Sequence, residues 1–284
     1  MRMRRRAVAT SEGEAWVLVD ALGELAPPLK WAGGKRWQLP QLRPLWAPHG
    51  HRRLVEPFCG GLAVALGLMP ERALLNDVSP HLINFYRWLK RGLQIDETLE
   101  NDAEVFYQQR RRFNQLLAEG RSRSREAAAL FYFLNRTGYN GLCRFNRQGQ
   151  FNVPFGRYQR IAYKRDFSAY RAVFGNWSFR TGDFERTPLH ADDFVYADPP
   201  YDVPFTQYAR QGFSWADQVR TGEWLSAHPG PVVLVNQATE RIVRLYEKLG
   251  FRLRMLSAPR LISCTGDRSP ALEVFAVRNL EGSG

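Results

Sequence analysis

Cysteine is scarce: Cys59, Cys143 and Cys264 are the only three in 284 residues, and no two are spaced as a CxxC pair. That excludes a disulfide scaffold and an obvious zinc module, and it fits a reducing compartment. Long apolar runs are missing as well; nothing approaches the ~18 consecutive apolar residues of a membrane span. The start, Met-Arg-Met-Arg-Arg-Arg, is basic, but Glu12, Glu14 and Asp20 break up the next stretch, so no secretory leader is expected. Neither common phosphate-binding fingerprint is complete. GxGxxG is absent, and residues 30–35 (KWAGGK) imitate the end of a P-loop without its upstream glycine and with Arg36 in place of Ser or Thr. Repeats and low-complexity tracts are also lacking. A hydrophobic share of 44% with 24% charged residues describes a globular chain with ample length for a core.

Acids are outnumbered by bases, 28 to 40, for a formal net charge of +12. The imbalance is local. Residues 105–165 hold 13 Lys and Arg against two acids, Glu119 and Glu126, so +11 falls within 61 consecutive residues. Solvated helix faces usually pair such charges with acids at helical spacing. Here those acids are nearly absent, which points to a polyanionic partner, nucleic acid above all.

Residues 1–26 show no clean periodicity and read as a tail or a loosely docked arm. Beyond Arg53 the pattern sharpens. Strands are expected at 54–55 and 73–76, with an apolar helix at 62–69 between them. Another helix starts at Ser79-Pro80, a good N-cap followed by a proline tolerated in the first turn. Strand signals then stop until residue 177. The intervening block reads as helices at 95–119 and 125–136, and a turn at 146–150 between strand-like pieces at 143–145 and 151–153. Strands resume at 177–180 and 193–197. A polar, aromatic loop comes next, then a helix at 216–227, a strand at 231–235, a helix at 239–249 and a strand pair at 251–255 and 272–277. Strands alternating with helices on both sides of an insertion imply an α/β sheet carrying an inserted, mainly helical domain.

Four of these strands end in an acid: Glu56, Asp77, Asp183 and Asp198. In an open parallel sheet the ligand lies beyond the carboxyl ends of the strands, so these acids are expected along one crevice. The turn at 56–61 (EPFCGG) has glycines that permit close backbone approach, and Asp77 comes after Gly60 at about the spacing of a ribose-binding acid. With no phosphate grip beside it, the turn suits a nucleoside cofactor without a pyrophosphate, S-adenosylmethionine being the first candidate. The sharpest motif is Asp198-Pro199-Pro200-Tyr201. Two prolines cannot continue a central strand. They fix a carboxylate acceptor, a carbonyl with no competing N–H and an aromatic face, a set suited to the exocyclic amine of a flat base.

Residues 29–35 (LKWAGGK), 55–61 (VEPFCGG), 75–86 (LNDVSPHLINFY) and 197–201 (ADPPY), together with 134–158 (LNRTGYNGLCRFNRQGQFNVPFGRY), resemble the Dam-type DNA adenine-N6 methyltransferases over roughly residues 28–278. The resemblance implies a Rossmann-like S-adenosylmethionine-dependent methyltransferase sheet with an inserted DNA-recognition domain containing a β-hairpin. Residues 1–26 would be an extension, 27–80 and 170–284 the catalytic, cofactor-binding domain, and 81–169 the target-recognition domain. It assigns the cofactor to Trp31, Ala32, Gly33, Lys35, Glu56, Pro57, Phe58, Gly60, Asp77, Val78, Asp183, Phe184 and Asp198. Catalysis falls to Asp198, Pro199, Pro200 and Tyr201. DNA contacts fall to Lys30, Arg136, Tyr139, Asn140, Leu142, Arg144, Asn146, Pro154 and Arg157, with Arg147 near phosphates or guanine edges. No metal is implied.

The reaction expected from this resemblance is methyl transfer from S-adenosylmethionine to N6 of adenine in double-stranded DNA, within GATC. The base must be flipped out of the duplex to reach the pocket. Residues 203–213 are expected to form a lid over it. Cys59 lacks the preceding proline of a C5-cytosine nucleophile. An N4-cytosine enzyme usually has Ser in place of Asp198. An inactive DNA-binding scaffold would not need Trp31, Lys35, Asp77 and Asp198, and a dehydrogenase would need GxGxxG. A cytoplasmic monomer of bacterial, archaeal or phage origin is expected, with or without a cognate restriction endonuclease.

Overall fold

The computed structural model describes residues 25–95, 100–202, 212–258 and 271–280. Seven strands form one sheet: β1 (Leu54–Glu56), β2 (Ala73–Asp77), β3 (Trp177–Thr181), β4 (Phe194–Ala197), β5 (Val232–Gln237), β6 (Arg252–Ala258) and β7 (Ala271–Arg278). Their order is β3-β2-β1-β4-β5-β7-β6. The first five pair in parallel, and β7 lies antiparallel between β5 and β6. β1, β4 and most of β5 are buried throughout, as parallel strands covered on both faces must be.

The helices are α1 (Leu39–Trp46), α2 (Ala63–Leu68), α3 (Pro80–Lys90), α4 (Ala103–Ala118), α5 (Arg125–Thr137), α6 (Ser168–Val173), α7 (Trp215–Ser226) and α8 (Glu240–Lys248). Strand alternation sends Leu54, Leu75, Tyr196 and Val233 into one apolar cluster and Val55, Leu74, Val195 and Leu234 into another. The second cluster lies under α7 and α8, through Leu225, Ile242 and Tyr246. The first runs under α1, α2 and α3 and continues without a break into the insert, through Phe106 and Phe113 of α4 and Phe131 and Leu134 of α5.

The Ser79 hydroxyl caps α3, accepting from Leu82 N, and Pro80 is next in the first turn. The expectation of a helix from residue 95 is corrected. α4 starts at Ala103, because the Asp102 carboxylate accepts from the amides of Glu104 (2.8 Å) and Val105 (3.0 Å). The expected hairpin strands shrink to a single bridge, Phe145 to Phe151, with Asn146 N bonded to Gln150 O and Asn152 N to Arg144 O. Past that pair Pro154 has no N–H to give and its carbonyl accepts from Tyr139 N (2.9 Å), while on the outer edge the Asn114 amide of α4 takes both main-chain groups of Phe151 (2.8 and 3.1 Å). Of the first 26 residues only Leu25 and Ala26 are described. Both are docked, Leu25 being buried and the Ala26 carbonyl accepting from the Tyr170 hydroxyl at 2.6 Å. The expected lid lies outside the described residues, apart from Gly212 and Phe213.

Candidate active site

The strand order 3-2-1-4-5 reverses its direction of progression between β1 and β4, and such a switch point is where a doubly wound sheet binds ligands. A cavity of about 450 Å³ opens there, at the carboxyl ends of β1, β2 and β4. Glu56, Asp77 and Asp198 keep the parity of Leu54, Leu75 and Tyr196, and all three acids line it. Trp31, Ala32, Gly33, Lys35, Phe58, Gly60, Val78, Pro199, Pro200 and Tyr201 line it too. Three of the residues expected there do not. Pro57 lies behind the wall, with its carbonyl accepting from Asn76 at 3.0 Å. Asp183 turns away to pair with Arg220 (2.9 Å), which holds its carboxyl below the usual range, and Phe184 packs under Phe58 with ring centroids 5.2 Å apart.

The glycine turn closes on the protein itself. A Cβ at Gly60 would lie 2.8 Å from Nε1 of Trp31, and one at Gly61 2.8 Å from its Cβ, so only glycines let the indole lie across the turn. Asp77 holds the turn from the other side: its Oδ2 accepts from Gly60 N (3.1 Å) and its Oδ1 from Ser79 N (2.9 Å). Burial raises its pKa against those two donors. Beside it Val78 is 76% exposed, an apolar surface at the rim of the cavity.

At the end of β4, Asp198 Oδ2 pairs with Lys35 Nζ at 3.0 Å, and the ammonium also donates to Gly33 O at 2.8 Å and lies 4.7 Å from the Tyr201 ring. Burial pushes the Asp198 carboxyl up to about 6, with Lys35 opposing the rise and Glu273 adding to it. The Pro200 carbonyl accepts from Gln218 Nε2 (2.7 Å), whereas that of Pro199 takes no hydrogen bond from the described residues. Gln218 is held in turn by Asn236 (2.9 Å), and Asn236 Oδ1 accepts from Asp202 N (3.2 Å). On the other side, Tyr196 donates to Gln38 (2.8 Å), and Gln38 donates to Glu273 (2.9 Å). Gln38, Gln218, Asn236 and Glu273, all buried, brace the ends of the 198–201 turn and escaped sequence reasoning. The available signal was a lone polar residue in an apolar strand: Asn236 in VVLVNQ and Glu273 in ALEVFAVR. Glu56 is also fully buried, and its Oε1 has no partner. The Tyr201 hydroxyl is likewise unpartnered; burial, then the charge of Asp198, pushes its ionisation far up.

The segment at 139–157 meets the residue that precedes the cavity-lining Trp31: a Cβ on Gly141 would fall 2.3 Å from the Lys30 Cβ. Tyr139 is 51% exposed, and Asn140 holds a left-handed φ of 52°. Leu142 is half-buried, while Arg144, Pro154 and Arg157 are exposed. The Arg144 guanidinium is aligned by Asn152 Oδ1 at 3.0 Å. Asn146 is spent on its own turn, its Oδ1 accepting from Gln148 N and Gln150 N. Arg136 donates to the Ala162 carbonyl. Lys30 is not a free cation: its ammonium sits 3.5 Å over the Tyr158 ring and donates to Arg136 O at 3.2 Å. Both acids of the basic block are engaged within it, Glu126 by Arg112 and Arg121, Glu119 by Arg121. Arg144, Arg147, Arg157 and Arg160 pair with no carboxylate among the described residues.

Residues 31–258 match the family described as D12 class N6 adenine-specific DNA methyltransferases. The chain is 36% identical over 267 residues to a DNA N-6-adenine-methyltransferase of Escherichia phage P1, covering 87% of this chain but only 35% of the phage protein. A type II methyltransferase of Lactococcus lactis subsp. cremoris is 35% identical over 257 residues, 83% of this chain and 89% of its own. A DNA adenine methylase of Vibrio cholerae serotype O1 is 36% identical over 258 residues, 84% and 90% of the two chains.

Proposed function

The chain belongs to the D12 class of N6 adenine-specific DNA methyltransferases, and from that membership we propose that it methylates the adenine of GATC in double-stranded DNA, with S-adenosylmethionine in the cavity at the β1–β4 switch and the target base against the Asp198–Tyr201 turn. The turn carries the proposal. It combines a carboxylate fixed by Lys35 with a Pro199 carbonyl that takes no donor among the described residues.

The cavity suits the cofactor by charge. Three carboxyl groups and one ammonium surround it; burial raises all three carboxyls, Glu56 well above the usual range, and a ligand cationic at sulfur and at its amino group would favour their ionised forms. The unpartnered Glu56 Oε1 is an acceptor available to such a group, Asp77 would take the ribose hydroxyls, and Val78 offers an apolar face for a base. When bound, S-adenosylmethionine supplies an electrophilic methyl on a positively charged sulfur. The residues do the rest. N6 of adenine is a weak nucleophile because its lone pair is conjugated with the ring. Asp198 and the Pro199 carbonyl accept its two N–H bonds and favour the pyramidal form whose lone pair is free to attack, while Tyr201 stacks on the ring. As the bond from N6 to the methyl forms, the methyl–sulfur bond breaks, and one N–H proton of the resulting cationic amine is released with Asp198 as its acceptor; this is positioning and electrostatic stabilisation, with no covalent intermediate. Gln218 and Asn236 keep the Pro200 end of the turn from relaxing.

Flipping the base requires a duplex held close by, which the basic insert provides. Arg144 has the chemistry for guanine O6 and N7, and Leu142 and Pro154 can abut a thymine methyl. A monomer acting in the cytoplasm satisfies this reading with or without a companion restriction endonuclease; relatives include both a type II methyltransferase and a DNA adenine methylase.

The deciding experiment is methyl transfer to a plasmid, with the modified base mapped and GATC sites probed by nucleases that need methylated or unmethylated adenine. N6-methyladenine confined to GATC is expected, and Asp198→Ala should lose roughly 100-fold or more of the rate while still binding DNA. Unprotected GATC with N6-methyladenine elsewhere would refute the target and spare the enzyme class.

A further inference from the structure

Asn135 lies on α5 with no exposed surface, and a buried amide must find partners. It finds them on two separate segments. Its Oδ1 accepts from Lys30 N at 2.9 Å and its Nδ2 donates to Lys30 O at 2.8 Å, so the amide grips one residue by both main-chain groups. The same Nδ2 reaches Gly141 O at 2.9 Å and Cys143 Sγ at 3.6 Å. Lys30 immediately precedes Trp31, whose indole lies across the glycine turn of the cavity. Gly141 and Cys143 flank Leu142 in the recognition segment. The two segments also touch directly: a Cβ on Gly141 would fall 2.3 Å from the Lys30 Cβ. Neither segment can shift by much without breaking a bond to the amide that holds the other.

We propose that Asn135 is a positioning residue that couples cofactor occupancy to target recognition, by holding the Lys30–Trp31 segment and the 141–143 segment in one register. The proposal rests on the reading that Trp31 serves the cofactor and the 139–157 segment reads DNA. Asn135 touches neither ligand; it makes the ordering of one segment the ordering of the other. Coupling of this kind is reciprocal: whatever factor bound cofactor adds to DNA affinity, bound DNA adds to cofactor affinity. A residue that merely filled the core would change stability and leave that factor alone.

The test uses the full chain, S-adenosylhomocysteine as the cofactor-site probe and a duplex carrying GATC, or the site to which methylation maps. Each affinity is measured with and without the other ligand. Mutual tightening of about 5-fold or more is expected in the wild type, falling to within about twofold of none in Asn135→Ala and Asn135→Asp. Asn135→Asp keeps the acceptor for Lys30 N and loses both donors. Gly141→Ala is the second variant. It leaves Asn135 in place and pushes the two segments apart, so it carries the test even if the Asn135 variants do not fold. Wild-type coupling in any folded variant overturns the proposal, as does a wild type with no coupling. If the wild type binds no S-adenosylhomocysteine, the cofactor reading falls and takes the proposal with it.

Discussion

On the proposed reading Asp198 accepts most strongly from the target amine when it is ionised, and its surroundings bring that ionisation close to neutrality. Burial lifts its carboxyl to about 6, Glu273 lifts it further, and the Lys35 ammonium 3.0 Å away pulls it back. The ionised form, the stronger acceptor, is therefore complete well above pH 6 and lost as the pH falls through it. An acid limb in kcat/KM with an inflection near 6 is expected. Lys35→Met removes the opposing charge, so the limb of the residual activity should move to higher pH. A limb that stays in place would mean that some other group titrates there. The ion pair also changes the expectation drawn from the sequence, in which Lys35 served the cofactor alone. Lys35 is 5% exposed, and its ammonium is bound to the Asp198 carboxylate.

At the scale of the element, the central strands were legible and the devices that connect them were not. β1, β4 and β5 stand out because covering a parallel sheet on both faces demands uninterrupted apolar runs. α3 stands out because Ser79-Pro80 is a local start signal. α4 begins eight residues beyond its expected start, at the Asp102 cap, because the polar stretch before it offers competing cap residues in the sequence, Asp96 and Thr98. The hairpin looked like two strands because its apolar pieces are local, whereas the contacts that fix it are not: the Pro154 carbonyl goes to Tyr139 N, and Phe151 is held by Asn114 from 37 residues away. The same holds for Gln38 and Gln218, whose partners are brought close only by the sheet. Because the backbone of the recognition segment is pinned by side chains from α4 and α5, a change at its exposed tip should alter reading and leave the fold intact. Arg144→Ala is expected to cost about 1–3 kcal/mol of binding and to relax discrimination at one base pair only. Binding to a panel of single-base-substituted duplexes checks this; a uniform loss across the panel would make Arg144 a phosphate contact.

The molecule as a whole is basic with an acidic pocket. Nearly all the net charge of +12 lies in residues 105–165, while the cavity at the sheet switch sets Glu56, Asp77 and Asp198 against a single lysine. The two polarities suit two ligands, a polyanion along the insert and a small cation within the cavity. The shared apolar cluster under α3, α4 and α5 keeps the two regions adjacent. A duplex gripped by such a block releases the counterions condensed on its phosphates. Arg144, Arg147, Arg157 and Arg160 have no carboxylate partner among the described residues, so they break no ion pair there when they meet DNA. With about six to ten phosphates neutralised, the log of DNA affinity should fall against the log of salt with a slope of about −5 to −9. Cofactor affinity measured without DNA should be far less sensitive, since its charges are buried and only weakly screened. Lys164→Ala should weaken every sequence alike and flatten the slope by about one. A flat salt response of the wild type would mean that the basic block is a solvated surface and that DNA is held elsewhere.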